Sequence, residues 1–237
     1  MRGSSDIATA VSVPFEPSPR TIVMATRSEG KLRELAPLLA SHGWQAVTLD
    51  TVGVVRCDDE EEALEVHDTF EANALAKARY FAKRTGLVVV ADDSGLVVEA
   101  LGGQPGVRSK RWSGSVLEGA ALDAHNNHYL QARLAEAARE GRGSRQAAYV
   151  CAAACVWAGG ELVATGRTEG RLLAHPEGAG GFGYDPYFWS DDLSASFASV
   201  SREAKAAVSH RGRAFAALFN ELESFFALPV DPAGQSG

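Results

Sequence analysis

In the stretch Leu87-Val88-Val89-Val90-Ala91-Asp92-Asp93-Ser94-Gly95-Leu96, two adjacent carboxylates, a hydroxyl and a glycine follow a short apolar run. The run reads as a buried strand because β-branched residues dominate it. Strand ends in α/β proteins open into crevices where ligands bind. A carboxylate pair at such a point suits a divalent cation, through hard oxygen ligands, and can orient a water. The same four residues also suit an Asx-type turn that merely closes the strand.

Three further groups carry chemistry. Thr26-Arg27-Ser28-Glu29-Gly30-Lys31 joins a strand to a helix. Helix N-termini present unpaired N–H groups and a positive dipole end, which suits phosphate. The Thr26 and Ser28 hydroxyls and the Lys31 charge would add to that cradle, although Ser28 serves equally as a helix N-cap. The segment is not a Walker A loop, which needs Gly-Lys-Ser/Thr after a longer glycine-rich run. In Gly180-Gly181-Phe182-Gly183-Tyr184-Asp185-Pro186, glycines around an aromatic let backbone approach a ligand while the ring offers a stacking face. An ordinary turn with core aromatics has the same composition. Lys205 and Ser209-His210-Arg211 bring donors, including a guanidinium fork for phosphate or a ring oxygen, or else line a solvated helix face.

The elements that position these groups follow from periodicity. Thr21 to Ala25 reads as a strand, followed by a helix with Leu32, Leu35, Leu38 and Leu39 on one face, ending near Gly43. Pro37 is expected to kink or shorten it. Gln45 to Leu49 suits a second strand, and Asp58-Asp59-Glu60-Glu61-Glu62 an acidic connector. A helix from Asp68 to Thr85 stops at Gly86, with Asp68 and Glu71 spaced as a capping box. Leu101 to Gly106 suits a tight turn. Val116 to Glu140 reads as a long helix with Leu122, Tyr129, Leu130 and Leu134 inward. Gln146 to Trp157 and Glu161 to Gly166 suit a hairpin turning at Gly159-Gly160. A last helix runs from Arg202 toward Phe226. The expected organisation is an extension over 1–20, one two-lobed domain over 21–227 and a tail over 228–237.

The chain has 237 residues, with 23 basic against 30 acidic, a net charge of −7. That balance argues against generic binding to nucleic acid or anionic membrane. No run approaches the roughly 20 apolar residues of a membrane span, and the start is a poor signal peptide. A cytoplasmic location is the expectation. Cys57, Cys151 and Cys155 form no metal pattern, and the last two lie in an apolar stretch as small buried hydrophobes.

Taken in order, these pieces resemble the inosine triphosphate pyrophosphatase family. The stretches that carry the resemblance are Thr26 to Lys31, Thr69-Phe70-Glu71-Ala72-Asn73-Ala74 with Lys77-Ala78-Arg79, Ala91 to Leu96, Leu101 to Gly106, Gly180 to Pro186, Glu203-Ala204-Lys205 and Ser209-His210-Arg211-Gly212. They span nearly all of Thr21 to Ala227. The resemblance implies an α/β fold, two-lobed, with a long mixed β-sheet flooring a cleft and flanked by helices. It implies a homodimer that hydrolyses non-standard purine nucleoside triphosphates, such as ITP, dITP and XTP, to monophosphate and pyrophosphate with Mg2+. By position, Asp93 is the general base and a metal ligand, with Glu65 as the second metal ligand. Thr26, Arg27, Ser28, Glu29, Gly30 and Lys31 form the triphosphate cradle, Ser94 contacts substrate, and Phe182 stacks on the base. Gly183, Tyr184, Asp185, Lys205, His210 and Arg211 complete the pocket.

Two departures stand out. The family has Thr-Gly-Asn where this chain has Thr26-Arg27-Ser28, and Phe-x-Glu-Asn where Glu71 comes one position early and Ala72 takes its place. They motivate one alternative, a catalytically weakened nucleotide-binding protein; a nucleotide phosphatase on the same scaffold is another. The physics favours the enzyme. A triphosphate bears about four negative charges, which an acidic chain holds only through a metal and focused donors. A donor aimed at a 6-oxo group would be left unpaired by adenine, at a cost of about 1–3 kcal/mol.

Overall fold

β-Branched and small apolar residues alternate along Thr21–Met24 (β1), Gln45–Thr48 (β2) and Val88–Val98 (β3), and these three pair in parallel about β1. Gln146–Trp157 (β4) and Gly160–Leu172 (β5) form a long antiparallel hairpin, extended by the short Phe188–Ser190 (β6) and Ala195–Ser196 (β7). The result is one mixed sheet of order β2-β1-β3-β4-β5-β6-β7. The computed structural model describes residues 17–226, so the expected N-terminal extension lies almost wholly, and the C-terminal tail wholly, outside the described residues.

Helices cover both faces. Glu29–Ser41 (α1) and His210–Phe226 (α6) bury Leu35, Leu39, Phe215 and Phe219 against Ile22, Met24 and Val90. Phe70–Thr85 (α3) buries Phe70, Ala74, Ala78 and Phe81 against Val23, Val89 and Ala91 on the opposite face. A third core gathers Leu96, Val98, Phe188 and Phe197 with Leu130 and Leu134 of Gly119–Arg139 (α4). The long β3, β4 and β5 run through both ends, giving two lobes on one floor. The remaining helices are the single acidic turn Asp58–Glu62 (α2) and Arg202–Val208 (α5).

Several details differ from the expectations. The strand does not stop at the carboxylates: β3 continues to Val98, because β4 pairs with it from Val89 through Val98. What stops is β1, whose last register partner is Val90 and whose Ala25 N–H closes onto the Val90 carbonyl at 2.8 Å. Asp92 and Asp93 therefore stand just past the end of β1, between strands whose connecting helices leave on opposite faces. That is the topological switch point where α/β sheets bind ligands.

The cap of α3 is Thr69, whose hydroxyl accepts from the Ala72 N–H at 3.2 Å. Asp68 and Glu71 do not form the expected box: with Thr69 as cap, Ala72 occupies the third helical position and the reciprocal carboxylate is absent. Gly86 ends α3 at φ 68°, as a left-handed cap requires. The acidic connector forms the turn of α2, and α1 runs past Pro37 to Ser41. Trp157 pairs with Gly160, which moves the hairpin turn to Ala158-Gly159. The last helix is broken at Ser209, which is extended (ψ 147°) and caps α6 by accepting from Gly212 N–H at 2.9 Å. The break docks on β5, where the Thr168 hydroxyl donates to the Val208 carbonyl at 2.7 Å and Gly166 leaves room for the His210 carbonyl.

Candidate functional site

The period of two along β3 separates the adjacent carboxylates. Asp92 and Ser94 face α1 and α6, and Asp93 faces α3. They do not act as one carboxylate pair.

On the Asp92 side, Lys31 Nζ lies 2.8 Å and Arg211 Nε 3.1 Å from the same carboxylate oxygen. Burial alone would raise the Asp92 carboxyl, but Lys31 and Arg211 more than reverse this and hold it well below the usual carboxylate range. Its other oxygen is buried without a partner. Arg211, itself buried, also donates to Ser94 Oγ at 3.0 Å and pairs with Glu34 on α1. Glu34 lies 3.4 Å from Lys205, and Lys205 reaches Asp185 at 2.6 Å. Asp185 accepts in turn from Phe182 N–H at 2.9 Å. One chain of alternating charge thus links α1, β3, α6, α5 and the glycine-rich loop.

Phe182 is the exposed end of that chain. Lys205 Nζ sits 4.8 Å from its ring centroid, and the ring edge covers Gly30, where a Cβ would stand 3.2 Å away. The glycine loop is held from α4: Asp123 accepts from Gly183 N–H at 2.8 Å, and Asn127 donates to the Gly183 carbonyl at 2.9 Å. Gly181, at φ 72°, lies so close to Asp185 that a side chain there would run into its carboxylate.

On the other face, Asp93 is 7% exposed and accepts from Asn73 Nδ2 at 2.9 Å. Its second oxygen accepts from the Ser94 N–H at 3.0 Å. Burial pushes the Asp93 carboxyl above its ordinary value. Lys77, Lys31 and the Asn73 bond oppose this, and Glu65 adds to it. Lys77 spans the floor, reaching Glu65 at 2.6 Å and the Asp92 carbonyl at 2.5 Å. Burial would deprotonate Lys77, but Glu65, Asp92 and Asp93 keep it an ammonium. Burial likewise would raise Glu65, and Lys77 brings it below its ordinary value instead.

The donor chemistry fits a hard cation. Glu65 and Asp93 flank one region and repel one another, and both carry oxygen ligands only. Among the described residues no three His, Cys, Asp or Glu side chains converge as a closed metal cage. Mg2+ commonly takes one or two carboxylates and completes its shell with water and substrate phosphate.

The site residues anticipated from sequence take distinct positions. Thr26 Oγ1 accepts from Ser28 N–H at 3.1 Å, and Ser28 caps α1 with a long 3.5 Å bond from Lys31 N–H. Arg27 turns away from the helix start toward Asp50 and Glu61. Glu29 faces solvent. Tyr184 is buried, its hydroxyl donating to the Ser109 carbonyl at 2.8 Å, so it pins the loop to the turn after β3. His210 is buried with its ring stacked on Tyr149, centroids 4.7 Å apart. Burial, with Arg211 and Lys205 nearby, holds its imidazole well below its ordinary value and so neutral.

Sequence reasoning missed Glu34, Asn73, Lys77, Asp123 and Asn127 as parts of the site. For Asn73 and Lys77 a signal existed: two polar residues four apart on the same face as Phe70, Ala74, Ala78 and Phe81. A polar residue on a buried stripe requires a partner, and those partners are Asp93 and Glu65. Glu34 gives no such signal, because its partners come from α5 and α6, far along the chain.

Residues 22–221 match the model of the Ham1 family. A dITP/XTP pyrophosphatase of Frankia alni is 47% identical over 197 residues, covering 82% of this chain and 93% of that protein. A dITP/XTP pyrophosphatase of Nitrosomonas europaea is 40% identical over 214 residues, covering 89% and 98%. Among solved structures, a HAM1 protein from Coxiella burnetii superposes with a TM-score of 0.73 at 32% identity, covering 86% of this chain and 98% of that one.

Proposed function

The chain belongs to the Ham1 family, and from that premise we propose how its residues act on their substrate. It is a nucleoside-triphosphate pyrophosphatase that hydrolyses non-standard purine nucleoside triphosphates such as dITP and XTP, releasing monophosphate and pyrophosphate.

In this reading Asp93 is the general base. It accepts a proton from water as the water oxygen attacks the α-phosphorus. The bond from that phosphorus to the bridging oxygen breaks, and the electron pair leaves with pyrophosphate. The observation that carries the assignment is the contrast across β3: Asp92 is ion-paired through one oxygen with both Lys31 and Arg211, whereas Asp93 keeps a raised proton affinity beside a single side-chain donor, Asn73. A base works best when its pKa approaches the working pH. A divalent cation such as Mg2+, held by Glu65 and Asp93, would supply positive charge against the phosphates.

Lys31, at the start of α1, sits where the N-terminal N–H groups of Thr26 to Lys31 and a side-chain charge favour the same anion. Phe182 offers the exposed ring for the base, with Lys205 against it, and His210 and Arg211 would line the wall that reads the base edge. A neutral His210 presents one donor and one acceptor, which suits a 6-oxo purine edge. Tyr184, Asp185 and Gly183 serve by holding Phe182 in place, with Asp185 and Lys205 as its rigid base. Ser94, held by Arg211, would contact the substrate beside the cradle.

No helix among the described residues is long and apolar enough to cross a membrane. A homodimer in the cytoplasm with Mg2+ as cofactor completes the reading, supported by the family resemblance and the acidic charge of the chain. Pyrophosphate release from XTP and ATP, followed with and without Mg2+, tests it. Preferred turnover of XTP with pyrophosphate as product supports it, and orthophosphate as the first product contradicts it.

A further inference from the structure

The Arg27 side chain has a defined place. Its Nη2 and Nε lie 2.9 and 3.3 Å from the two Glu61 carboxylate oxygens, a forked pairing. Its Nη1 reaches Asp50 at 2.5 Å, and Nη2 also donates to the Val54 carbonyl at 3.1 Å. Glu61 lies on α2, whose sequence Asp58-Asp59-Glu60-Glu61-Glu62 is wholly acidic. A single turn of like charges repels itself and does not hold alone. Glu61 Oε1 folds back to accept from Cys57 N–H at 3.3 Å, so the same carboxylate that binds Arg27 also closes the start of the turn.

The turn leads directly into Ala63–Glu65. Cations from two elements hold this segment. Arg84 takes Glu60 at 3.0 Å and Lys77 takes Glu65 at 2.6 Å, both from α3. Arg27 is the tie that crosses to the β1–α1 loop.

We propose that Arg27 is a positioning residue that, through Glu61, fastens the Glu65-bearing segment to the cradle loop and so sets where Glu65 stands relative to Asp93. With both side-chain edges engaged by carboxylates, the guanidinium does not serve as a phosphate ligand. The importance of Glu65 rests on the metal-ligand reading given above, whereas the fastening itself does not.

The test uses the full chain with Arg27→Ala, Arg27→Lys, Glu61→Gln and the Arg27→Ala/Glu61→Gln double variant. Hydrogen exchange reads the amides of Cys57 to Glu65, and electron paramagnetic resonance of free Mn2+ reads cation binding without turnover. Arg27→Ala and Glu61→Gln are each expected to speed exchange in that segment while α3 is unchanged. Each weakens Mn2+ binding by roughly three- to tenfold, less than the loss typical for a group touching a metal ligand directly. The double variant matches the singles, because both remove one interaction, and Arg27→Lys recovers part of the loss. Unchanged exchange in Arg27→Ala overturns the proposal. So does a raised nucleotide KM at saturating Mg2+ in Arg27→Ala that Glu61→Gln does not share, since Arg27 would then touch phosphate. If exchange quickens while Glu65→Gln leaves Mn2+ binding unaltered, the fastening stands and the metal assignment of Glu65 falls.

Discussion

Asp92 and Asp93 are consecutive in the chain, yet Asp92 lies between Lys31 and Arg211, at 2.8 and 3.1 Å, while Asp93 lies on the other side of the sheet, 2.9 Å from Asn73. The strand's pleat thus gives two identical side chains opposite electrostatic tasks. One neutralises Lys31 and Arg211 and so ties α1 and α6 to β3. The other faces Asn73, and burial raises its proton affinity.

Unequal changes in stability follow from this. Asp92→Asn strands Arg211 and Lys31 without their shared counter-ion, and removing one partner of a buried pair costs about 3–5 kcal/mol. The retained Glu34 contact places the expected loss near the lower figure. Asp93→Asn removes a carboxylate whose ionised form burial disfavours, while its amide accepts at only one of the two positions where Asn73 and Ser94 donate, so the net loss stays well below that of Asp92→Asn. It lowers turnover by about 100-fold or more, the typical contribution of a general base. Urea unfolding and pyrophosphate release on both variants check the pair. A stability loss for Asp93→Asn matching that of Asp92→Asn would refute the division.

Glycine 181 supplies a second prediction. Its φ of 72° and its contact with Asp185 leave no room for a side chain. Gly181→Ala should destabilise the fold by at least about 1–2 kcal/mol, the cost of left-handed backbone for an L-residue. It should also raise KM, because Asp185 holds both Lys205 and the Phe182 N–H. Unaltered KM together with unaltered thermal stability would show that Asp185 is not the loop's anchor.

His210 sets a pH dependence. Its imidazole is held well below its ordinary value in the fold, whereas the unfolded chain titrates near 6.5. Below that value the unfolded state binds the extra proton and the folded state does not. Stability is therefore full above about pH 6.5 and falls as the pH drops below it, by about 1 kcal/mol between pH 7 and 5.5. Urea midpoints at the two pH values, in wild type and His210→Gln, check this. A variant with the same pH dependence as wild type would remove His210 from the account.

Ser28 offers a milder test of the cradle. The hydroxyl caps α1 through a 3.5 Å bond, so Ser28→Ala should cost under about 1 kcal/mol. Ser28→Asn keeps a capping acceptor and adds an amide donor, so it should preserve kcat and hold or lower KM. A large fall in kcat for Ser28→Asn would mean that the loop takes a different path.

The sequence made the large elements and the ordered motifs readable because each has a local cause. Leu32, Leu35 and Leu39 repeat at helical spacing, Val88 to Val90 form a strand, and Gly86 stops a helix. What stayed hidden depends on partners distant in the chain. Asp92-Asp93-Ser94 reads locally as a turn, and only pairing with β4 keeps it in a strand. Thr69 outranks Asp68 as cap because Phe70 must bury against Val89 and Ala91, which fixes where α3 starts. The break at Ser209 exists because Thr168 and Gly166 of β5 receive it. Glu34 became part of the site only when α5 and α6 brought Lys205 and Arg211 to it.

The central claim is attack of water at the α-phosphorus of a 6-oxo purine nucleotide, with Asp93 as base. Hydrolysis of dITP in 18O-labelled water, with Mg2+ and mass analysis of both products, tests it most directly. One labelled oxygen should appear in the monophosphate and none in the pyrophosphate, with ATP turned over far more slowly under the same conditions. Label in the pyrophosphate, or orthophosphate released first, would contradict the account.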